Sequence, residues 1–322
     1  MPRSPAVSVI MAAYNAAAFI GAAIEGLLEQ NFADWELVIR NDESTDHTVD
    51  VIERYDDDRI RLLPQQQHVG AASARNDAIA AARASLLAIH DADDLAHPER
   101  LSEQVRFLNE HPDVAVVGSA ARLIDASGRT IGRIDPPTED ADIRAKAFEQ
   151  GFPFVHSSIV IRADAFRAVG GYDTRFVPSE DYDMLLRLLE GRRAANLPEP
   201  LCSLRRHGGS LSVRRALRQT ACAELARERS AVRRAGNDPD SAEHAQRFTR
   251  RFEQIARNRY DRPFRRRAWL RHAQLALQCA LPGQAARCAV RALRAGASPR
   301  DAAWILRKAA RLRLFGRRGD DA

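Results

Sequence analysis

The chain has few cysteines and no long apolar run. Its four cysteines form no C-x-x-C pair and no zinc-ligand spacing: Cys202, Cys222, Cys279 and Cys288. We therefore expect reduced thiols in a cytoplasmic protein, rather than a disulfide framework or a zinc finger. No segment approaches the roughly 18 apolar residues of a membrane span, which argues against an integral membrane protein.

Aromatic residues make up only 6% of the 322 residues, whereas charge is abundant and unevenly distributed. Residues 1–213 contain 22 Lys and Arg against 33 Asp and Glu, a net charge of −11, and residues 214–322 contain 27 against 10, a net charge of +17. We expect a domain at 1–213 and a basic region at 214–322 with different partners. The basic region has no recognised nucleic-acid motif and few aromatics to stack on bases, so no nucleic-acid partner is expected.

Strand and helix patterns alternate through the first part of the chain. Short β-rich apolar segments occur at 7–13, 35–39, 60–63 and 86–89. Helical spacing follows the first, second and third of these segments. The alternation predicts an α/β domain with a mostly parallel sheet flanked by helices.

Further elements are expected downstream. We expect helices at 99–110 and 180–191, strands at 114–118, 157–161 and 201–206, and a hairpin turn at 125–129. Beyond residue 213, Ala-, Arg- and Leu-rich segments are interrupted by Gly and Pro. They predict an all-α region of four or five helices.

The apolar segment 86–89 ends in His90-Asp91-Ala92-Asp93-Asp94. Three carboxylates within four residues repel one another unless a positive group lies between them. Mg²⁺ prefers one or two carboxylates together with substrate phosphates and water, so a phosphate-holding divalent cation is one interpretation. A solvated acidic turn that caps the helix from Pro98 is the other.

Two further predicted strands end in polar residues, at Tyr14-Asn15 and at residues 42–46. If the strands are parallel, these loops and the acidic loop lie at one edge of the sheet, where open α/β sheets bind ligands. That edge requires cations, and Arg75 on the following helix is a candidate.

Six segments in this order resemble the family-2 type of inverting glycosyltransferases, which have a GT-A fold. They are Val7-Ser8-Val9-Ile10-Met11-Ala12-Ala13-Tyr14-Asn15, Asn41-Asp42-Glu43-Ser44-Thr45-Asp46, Gly70-Ala71-Ala72-Ser73-Ala74-Arg75-Asn76, His90-Asp91-Ala92-Asp93-Asp94, Gly170-Gly171-Tyr172-Asp173 and Glu180-Asp181-Tyr182-Asp183. The resemblance covers about the first two thirds of the chain. It implies a GT-A domain that transfers a sugar, with inversion, from a nucleoside-diphosphate sugar to an acceptor hydroxyl.

The resemblance also implies residue roles on the nucleotide side. Tyr14 and Asp42 match contacts to the nucleobase and ribose, and Arg75 matches a nucleotide-side contact that helps to hold the acidic loop. Asp91 and Asp93 match the two acids of the D-x-D motif. Asp93 is then the expected ligand of Mg²⁺ or Mn²⁺, and Asp91 a contact to the ribose or the metal.

On the acceptor side, the resemblance implies that Asp181 is the catalytic base. His207 matches a loop that often carries an Arg-x-His pattern and closes over the diphosphate, which makes it a further candidate metal ligand. Two departures from the family pattern concern these loops. Glu43 replaces the glycine of Asp-Asp-Gly-Ser, and Leu204 replaces a tyrosine before Arg205.

A non-catalytic nucleotide-sugar-binding or scaffold protein that works through its basic region is the alternative function. For the basic region itself, we expect peripheral contact with the inner face of a membrane, or a solvated helical domain that packs on a partner. Enzymes that resemble this chain often act on saccharide or lipid-linked saccharide acceptors in polysaccharide, lipopolysaccharide or glycolipid synthesis. The sequence does not name the base, the sugar or the acceptor.

Overall fold

A computed structural model describes residues 4–64, 67–207, 215–278 and 282–315. The chain divides into two compact units, Met1–Arg205 and Arg206–Ala322. The domain boundary predicted between residues 213 and 214 lies outside the described residues.

The first unit is an α/β structure around one sheet. Its strands are β1 (Val7–Ala13), β2 (Trp35–Asn41), β3 (Ile60–Leu62), β4 (Leu86–Ile89), β5 (Leu95–Ala96), β6 (Val114–Ile124), β7 (Thr130–Ile134), β8 (Val160–Arg162) and β9 (Arg193–Arg205). Its helices are α1 (Ile20–Leu28), α2 (Thr48–Ile52), α3 (Ala71–Ala80), α4 (Arg100–Glu110), α5 (Asp140–Ala145), α6 (Ala163–Ala168) and α7 (Glu180–Leu189). The predicted α/β fold class is confirmed.

The sheet order is β3-β2-β1-β4-β8-β6-β9-β5, with β7 paired to β6. The first four strands are parallel, as expected for strands joined by crossover helices. Burial of nearly all side chains in β1, β2 and β4 explains why apolar residues predominate in these segments of the sequence. The loops after β1, β2 and β4 therefore lie at one edge of the sheet.

The second half of the sheet is mixed. β8 runs antiparallel to both β4 and β6, whereas β9 runs parallel to β6 with several register shifts. β9 begins at Arg193, eight residues before the predicted strand, and β6 continues six residues past its predicted end. The sequence did not predict the first part of β9 because it contains Pro198 and Pro200, and proline cannot donate a hydrogen bond to a strand ladder.

The described part of the second unit is helical after residue 215, as predicted. Its helices in the described residues are α8 (Ala216–Arg234), α9 (Ala242–Ala256), α10 (Arg262–Gln278), α11 (Pro282–Arg294) and α12 (Pro299–Phe315). Small side chains such as Ala273, Ala285, Ala289 and Ala302 form much of the core between α10, α11 and α12. Within the described ranges, no helix combines the length and the apolar character that crossing a bilayer requires.

Candidate functional site

Side-chain hydrogen bonds join the loops that follow β1 and β2. Asn15 Oδ1 accepts from the Thr45 N–H at 2.8 Å, and the Asn15 N–H donates to Ser44 Oγ at 2.9 Å. Asp46 accepts from the Ala17 N–H at 3.1 Å. These hydrogen bonds hold the loop after β1 against the loop after β2.

Asp42 is buried and holds the loop that leads into α3. Its carboxylate accepts from the backbone N–H groups of Val69 at 2.7 Å and Gly70 at 2.9 Å, and lies 2.9 Å from His68 Nδ1. The His68 ring lies beside that of Tyr14, with centroids 4.8 Å apart. Tyr14 is 52% exposed, so this end of β1 presents an aromatic surface to solvent.

Glu43 keeps the turn that the replaced glycine would favour. Its φ is +62°, in the left-handed region that glycine adopts without steric cost. The Glu43 carboxylate accepts from the His68 N–H at 3.0 Å, which ties it to the same loop. Glu43 therefore adopts, at the end of β2, a backbone conformation that glycine favours.

The acidic loop connects β4 to β5, and both carboxylate oxygens of Asp91 have partners. Arg75 donates to Asp91 Oδ1 at 2.7 Å, Ser157 donates to Oδ2 at 3.0 Å, and His156 Nδ1 lies 3.5 Å from Oδ2. Burial alone would raise the pKa of Asp91. The interactions with Arg75 and His156 outweigh burial and hold this pKa well below its usual range.

Asp94 has a different environment within the same loop. It is buried, accepts from the Arg205 N–H at 2.7 Å, and contacts the Ser157 hydroxyl. Burial and the neighbouring Asp93 and Asp91 charges raise the pKa of Asp94 well above its usual range. Since the Ser157 hydroxyl has a single hydrogen for two carboxyl groups, Asp94 is the group suited to hold a proton.

Asp93 lies between these two residues and is only partly buried. Its backbone carbonyl accepts from Arg205 Nε at 2.8 Å, which fixes the position of this peptide. His207 lies two residues beyond the end of β9, in the second unit. It is partly buried there.

Arg75 on α3 links the acidic loop to the start of α7. Its guanidinium donates to Asp91 Oδ1 at 2.7 Å and to Glu180 Oε1 at 2.9 Å. Asp181 follows in the first turn of α7 and is partly exposed. Arg75 therefore joins Asp91 of the acidic loop to Glu180, the residue that precedes Asp181 in the chain.

A buried cation lies beneath the acidic loop. Arg100 is fully buried and contacts His90 Nδ1 at 3.0 Å, the Ile89 carbonyl at 2.8 Å and Gln104 Oε1 at 3.2 Å. Burial and the charge of Arg100 lower the pKa of His90 to about 3, so His90 is neutral. These contacts hold the end of β4, from which the acidic loop begins.

Several residues that complete this arrangement were not assigned roles from the sequence. Glu180 and Asn76 belong to motifs quoted in the sequence analysis. Asn76 forms two hydrogen bonds with the backbone of Tyr172: it accepts from the Tyr172 N–H at 3.1 Å and donates to the Tyr172 carbonyl at 2.8 Å. Ser157 and Arg205 reach the acidic loop from 63 to 112 positions away. Arg205 stands in the Arg-x-His pattern noted above, whereas no local sequence signal marks Ser157.

The oxygen donors of the loop fit part of a Mg²⁺ or Mn²⁺ site. Within the described ranges, no cluster of three or more His, Cys, Asp or Glu side chains is arranged to hold a metal. Asp93 and Asp91 can supply one or two hard oxygen ligands, which is the number that Mg²⁺ takes when phosphates and water complete its shell. The fit therefore depends on a phosphate-bearing ligand.

Residues 8–170 match the sequence profile described as Glycosyl transferase family 2. The chain belongs to this family. It is 37% identical over 211 residues to the putative glycosyltransferase EpsE of Bacillus subtilis, covering 64% of this chain and 74% of EpsE. It is 30% identical over 224 residues to the O-antigen biosynthesis glycosyltransferase WbnJ of Escherichia coli, covering 67% of this chain and 85% of WbnJ.

Solved structures of glycosyltransferases share the GT-A fold of this family-2 chain. TarS 1-349 of S. aureus, in complex with UDP, gives a TM-score of 0.57 at 16% identity over 98% of this chain and 92% of that one. The mannosyltransferase PcManGT of Pyrobaculum calidifontis, with GDP-Man and Mn²⁺, gives 0.56 at 21% identity over 97% and 81%. The predicted family and fold are confirmed.

Proposed function

We propose that this family-2 glycosyltransferase transfers a sugar, with inversion, from a nucleoside-diphosphate sugar to an acceptor hydroxyl. Residues 1–213 would form the catalytic domain and residues 214–322 a basic helical region. One observation carries the proposal. Arg75 bridges Asp91 and Glu180, and so joins the acidic loop to the residue that precedes Asp181.

Asp181 is the proposed catalytic base. In an inverting transfer, the acceptor oxygen attacks the anomeric carbon while the bond from that carbon to the diphosphate breaks on the opposite face. A carboxylate within hydrogen-bond reach of the acceptor hydroxyl takes its proton, an effect that typically contributes about 10²–10⁴-fold. Asp181 suits this role because α7 anchors it through the buried Leu185, Leu186 and Leu189 while its side chain stays partly exposed.

Asp93 is the proposed ligand of a divalent cation, with Asp91 as a contact to the ribose or the metal and His207 as a further candidate. Mg²⁺ or Mn²⁺, when bound, would neutralise the charge that develops on the leaving diphosphate. The occurrence of Mn²⁺ with GDP-Man in PcManGT supports this assignment. Arg75 keeps Asp91 ionised and oriented for its contact.

The aromatic pair of Tyr14 and His68 is the proposed platform for the nucleobase. Asp42 would contact the nucleotide, and it would also position the loop before α3 to which it is hydrogen-bonded. UDP in TarS and GDP-Man in PcManGT support a nucleotide-sugar donor. Saccharide or lipid-linked acceptors in surface polysaccharide, lipopolysaccharide or glycolipid synthesis are proposed, supported by the O-antigen relative WbnJ. We also propose that the basic region contacts the membrane surface peripherally.

A hydrolysis screen over nucleotide sugars, each with Mg²⁺ and with Mn²⁺, tests the activity. We expect one base-and-sugar combination to be turned over, and Asp93→Asn to abolish turnover and weaken metal-dependent nucleotide binding. Wild-type turnover by Asp93→Asn would contradict the site assignment. Nucleotide binding by calorimetry without turnover of any donor would favour the non-catalytic binding protein instead.

A further inference from the structure

Exposed large apolar side chains are concentrated in the last two helices. Val290 and Leu293 on α11 and Trp304 on α12 have exposed fractions of 40%, 36% and 48%. Among the other residues whose side-chain exposure is described, only Tyr14 and Val69 are large apolar residues of this exposure, and both lie beside the proposed nucleotide site. The three residues of the second unit have no part in that site.

On α11, arginines share the exposed face with these apolar residues. Arg287, Arg291 and Arg294 recur at spacings of four and three, and all are exposed. Residues at these spacings lie on one face of a helix, so the arginines lie alongside Val290 and Leu293. The opposite face, with Ala285, Cys288, Ala289 and Ala292, is buried.

On α12, the same combination surrounds Trp304. Arg300, Arg307 and Lys308 stand four residues before and three and four residues after it, and all are exposed. Lys308 Nζ lies 5.1 Å from the centroid of the Trp304 ring. Residues 282–315 contain eight Lys and Arg and a single acid, Asp301.

We propose that this outer face of α11 and α12 docks on an anionic lipid surface. We call it the lipid-facing surface: Val290, Leu293, Trp304, Arg287, Arg294, Arg300, Arg307 and Lys308. Basic helices with exposed apolar residues lie in the headgroup region of a bilayer, where tryptophan is enriched and anionic headgroups attract arginine and lysine. A nucleic-acid backbone would satisfy the cations but would leave the apolar side chains in water.

The proposal deepens the peripheral contact proposed above and would place the enzyme beside a lipid-linked acceptor. Docking is measured without donor or acceptor. If the protein does not bind lipid, the proposed sugar transfer is not contradicted. If the enzyme is inactive, the proposed lipid binding is not contradicted.

Co-sedimentation of the full chain with vesicles tests the surface. We expect at least about tenfold more binding to phosphatidylcholine vesicles with about 30 mol% phosphatidylglycerol than to pure phosphatidylcholine, and a loss of binding as salt screens the charges. Trp304 emission should shift to the blue on binding and be quenched by brominated lipid. Trp304→Phe should remove that signal, because Trp35 is buried in the first unit and Trp269 packs against the core of the second.

Matched variants separate this surface from general charge. Arg287→Gln/Arg294→Gln and Val290→Ser/Leu293→Ser should each reduce binding about tenfold or more, since each removes two contacts with the lipid. Arg122→Gln/Arg167→Gln removes two exposed charges from the first unit and should leave binding unchanged. Donor hydrolysis in solution should be the same in all three double variants.

Three results would overturn the proposal. The first is equal binding to neutral and anionic vesicles. The second is the same loss of binding in the first-unit control as in Arg287→Gln/Arg294→Gln. The third is salt-dependent binding to RNA or DNA by a chain that binds neither kind of vesicle.

Discussion

Arg75 is a cation that two of the candidate site's carboxylates, Asp91 and Glu180, share. Its removal by Arg75→Met leaves Asp91 and Glu180 partly desolvated without their partner, which costs about 3–5 kcal/mol for a buried pair. We expect a lower melting temperature and a kcat reduced by more than about tenfold, because the acidic loop and α7 lose their link. Thermal unfolding and steady-state kinetics measure the two effects.

Arg75→Lys is the matched variant for that prediction. Lysine keeps the charge but cannot donate to both carboxylates in the fork geometry of the guanidinium. Its kcat should therefore fall between those of the wild type and Arg75→Met. If both variants retain wild-type kcat, Arg75 does not position the site.

Glu36 is a buried carboxylate at the opposite end of the strands. It accepts from Ser8 Oγ at 2.6 Å, from the Arg83 N–H at 2.8 Å and from Arg61 at 2.7 Å. Glu36→Gln should lower the free energy of unfolding by about 2–4 kcal/mol at neutral pH, since it leaves these donors poorly paired. Denaturant unfolding measures the difference.

The same residue predicts a pH dependence. Burial would raise the pKa of Glu36, but hydrogen bonds from Ser8, Arg83 and Arg61 lower it below its usual value. The stabilisation is therefore complete above the unfolded-state pKa of about 4.3 and is lost as the pH falls through the lower folded-state pKa. The difference between wild type and Glu36→Gln should shrink at acid pH. A difference that stays constant from neutral pH to about pH 3 would contradict this.

At the residue scale, the sequence indicated those site residues whose type and local setting are informative. The three acids after an apolar strand marked the acidic loop, and a family motif marked Asp181. Their partners could not be inferred in this way. Arg205 and Ser157 meet Asp94 only because the end of β9 lies beside β5 and the turn before β8 lies beside β4. Arg205 stands in the Arg-x-His pattern, but that pattern does not indicate a contact with Asp94, and Ser157 has no distinctive sequence neighbourhood.

At the element scale, β6 depends on a glycine at its centre. A Cβ at Gly118 would collide with Asn196 Oδ1 and lie 2.5 Å from Phe154 Cδ1. Asn196 cannot easily move, since its Nδ2 donates to the carbonyls of Pro137 at 2.7 Å and Pro153 at 3.2 Å. Gly118→Ala should destabilise the fold by about 1–3 kcal/mol, which thermal unfolding measures.

Gly132 on β7 is the matched control for Gly118. A Cβ there would make only an ordinary contact with Leu123 at 3.5 Å. Gly132→Ala should therefore change the melting temperature little. Equal effects of the two substitutions would show that packing around β6 is not the cause.

The central strands that the sequence predicted well have side chains that are buried on both faces of the sheet. β1, β2 and β4 are buried along nearly their whole length, and apolar residues predominate in each of them. β9 alternates between buried and exposed residues, contains two prolines and pairs with β6 through register shifts. Its extent is decided by a partner strand some 80 residues away, so local pattern could not reveal it.

At the scale of the whole molecule, the chain combines an acidic catalytic part with a basic helical part. The amino-acid composition already showed the charge imbalance between residues 1–213 and 214–322. The Gly and Pro interruptions between Ala-, Arg- and Leu-rich segments predicted the helices of the second part. The position of the outer face of α11 and α12 required the structure, because exposure depends on how α10, α11 and α12 pack. In the function proposed here, the first part binds a nucleotide sugar and the second part binds a charged lipid surface.

The most direct test of the proposed function is the rate of sugar transfer by Asp181→Asn, measured beside its nucleotide affinity. Asparagine keeps the shape of the side chain but cannot accept the proton of the acceptor hydroxyl. We predict a loss of about 10²–10⁴-fold in kcat with unchanged nucleotide affinity, and no loss in Asp164→Asn, which removes an exposed carboxylate from α6. Wild-type kcat in a folded Asp181→Asn enzyme would contradict the assignment of the base.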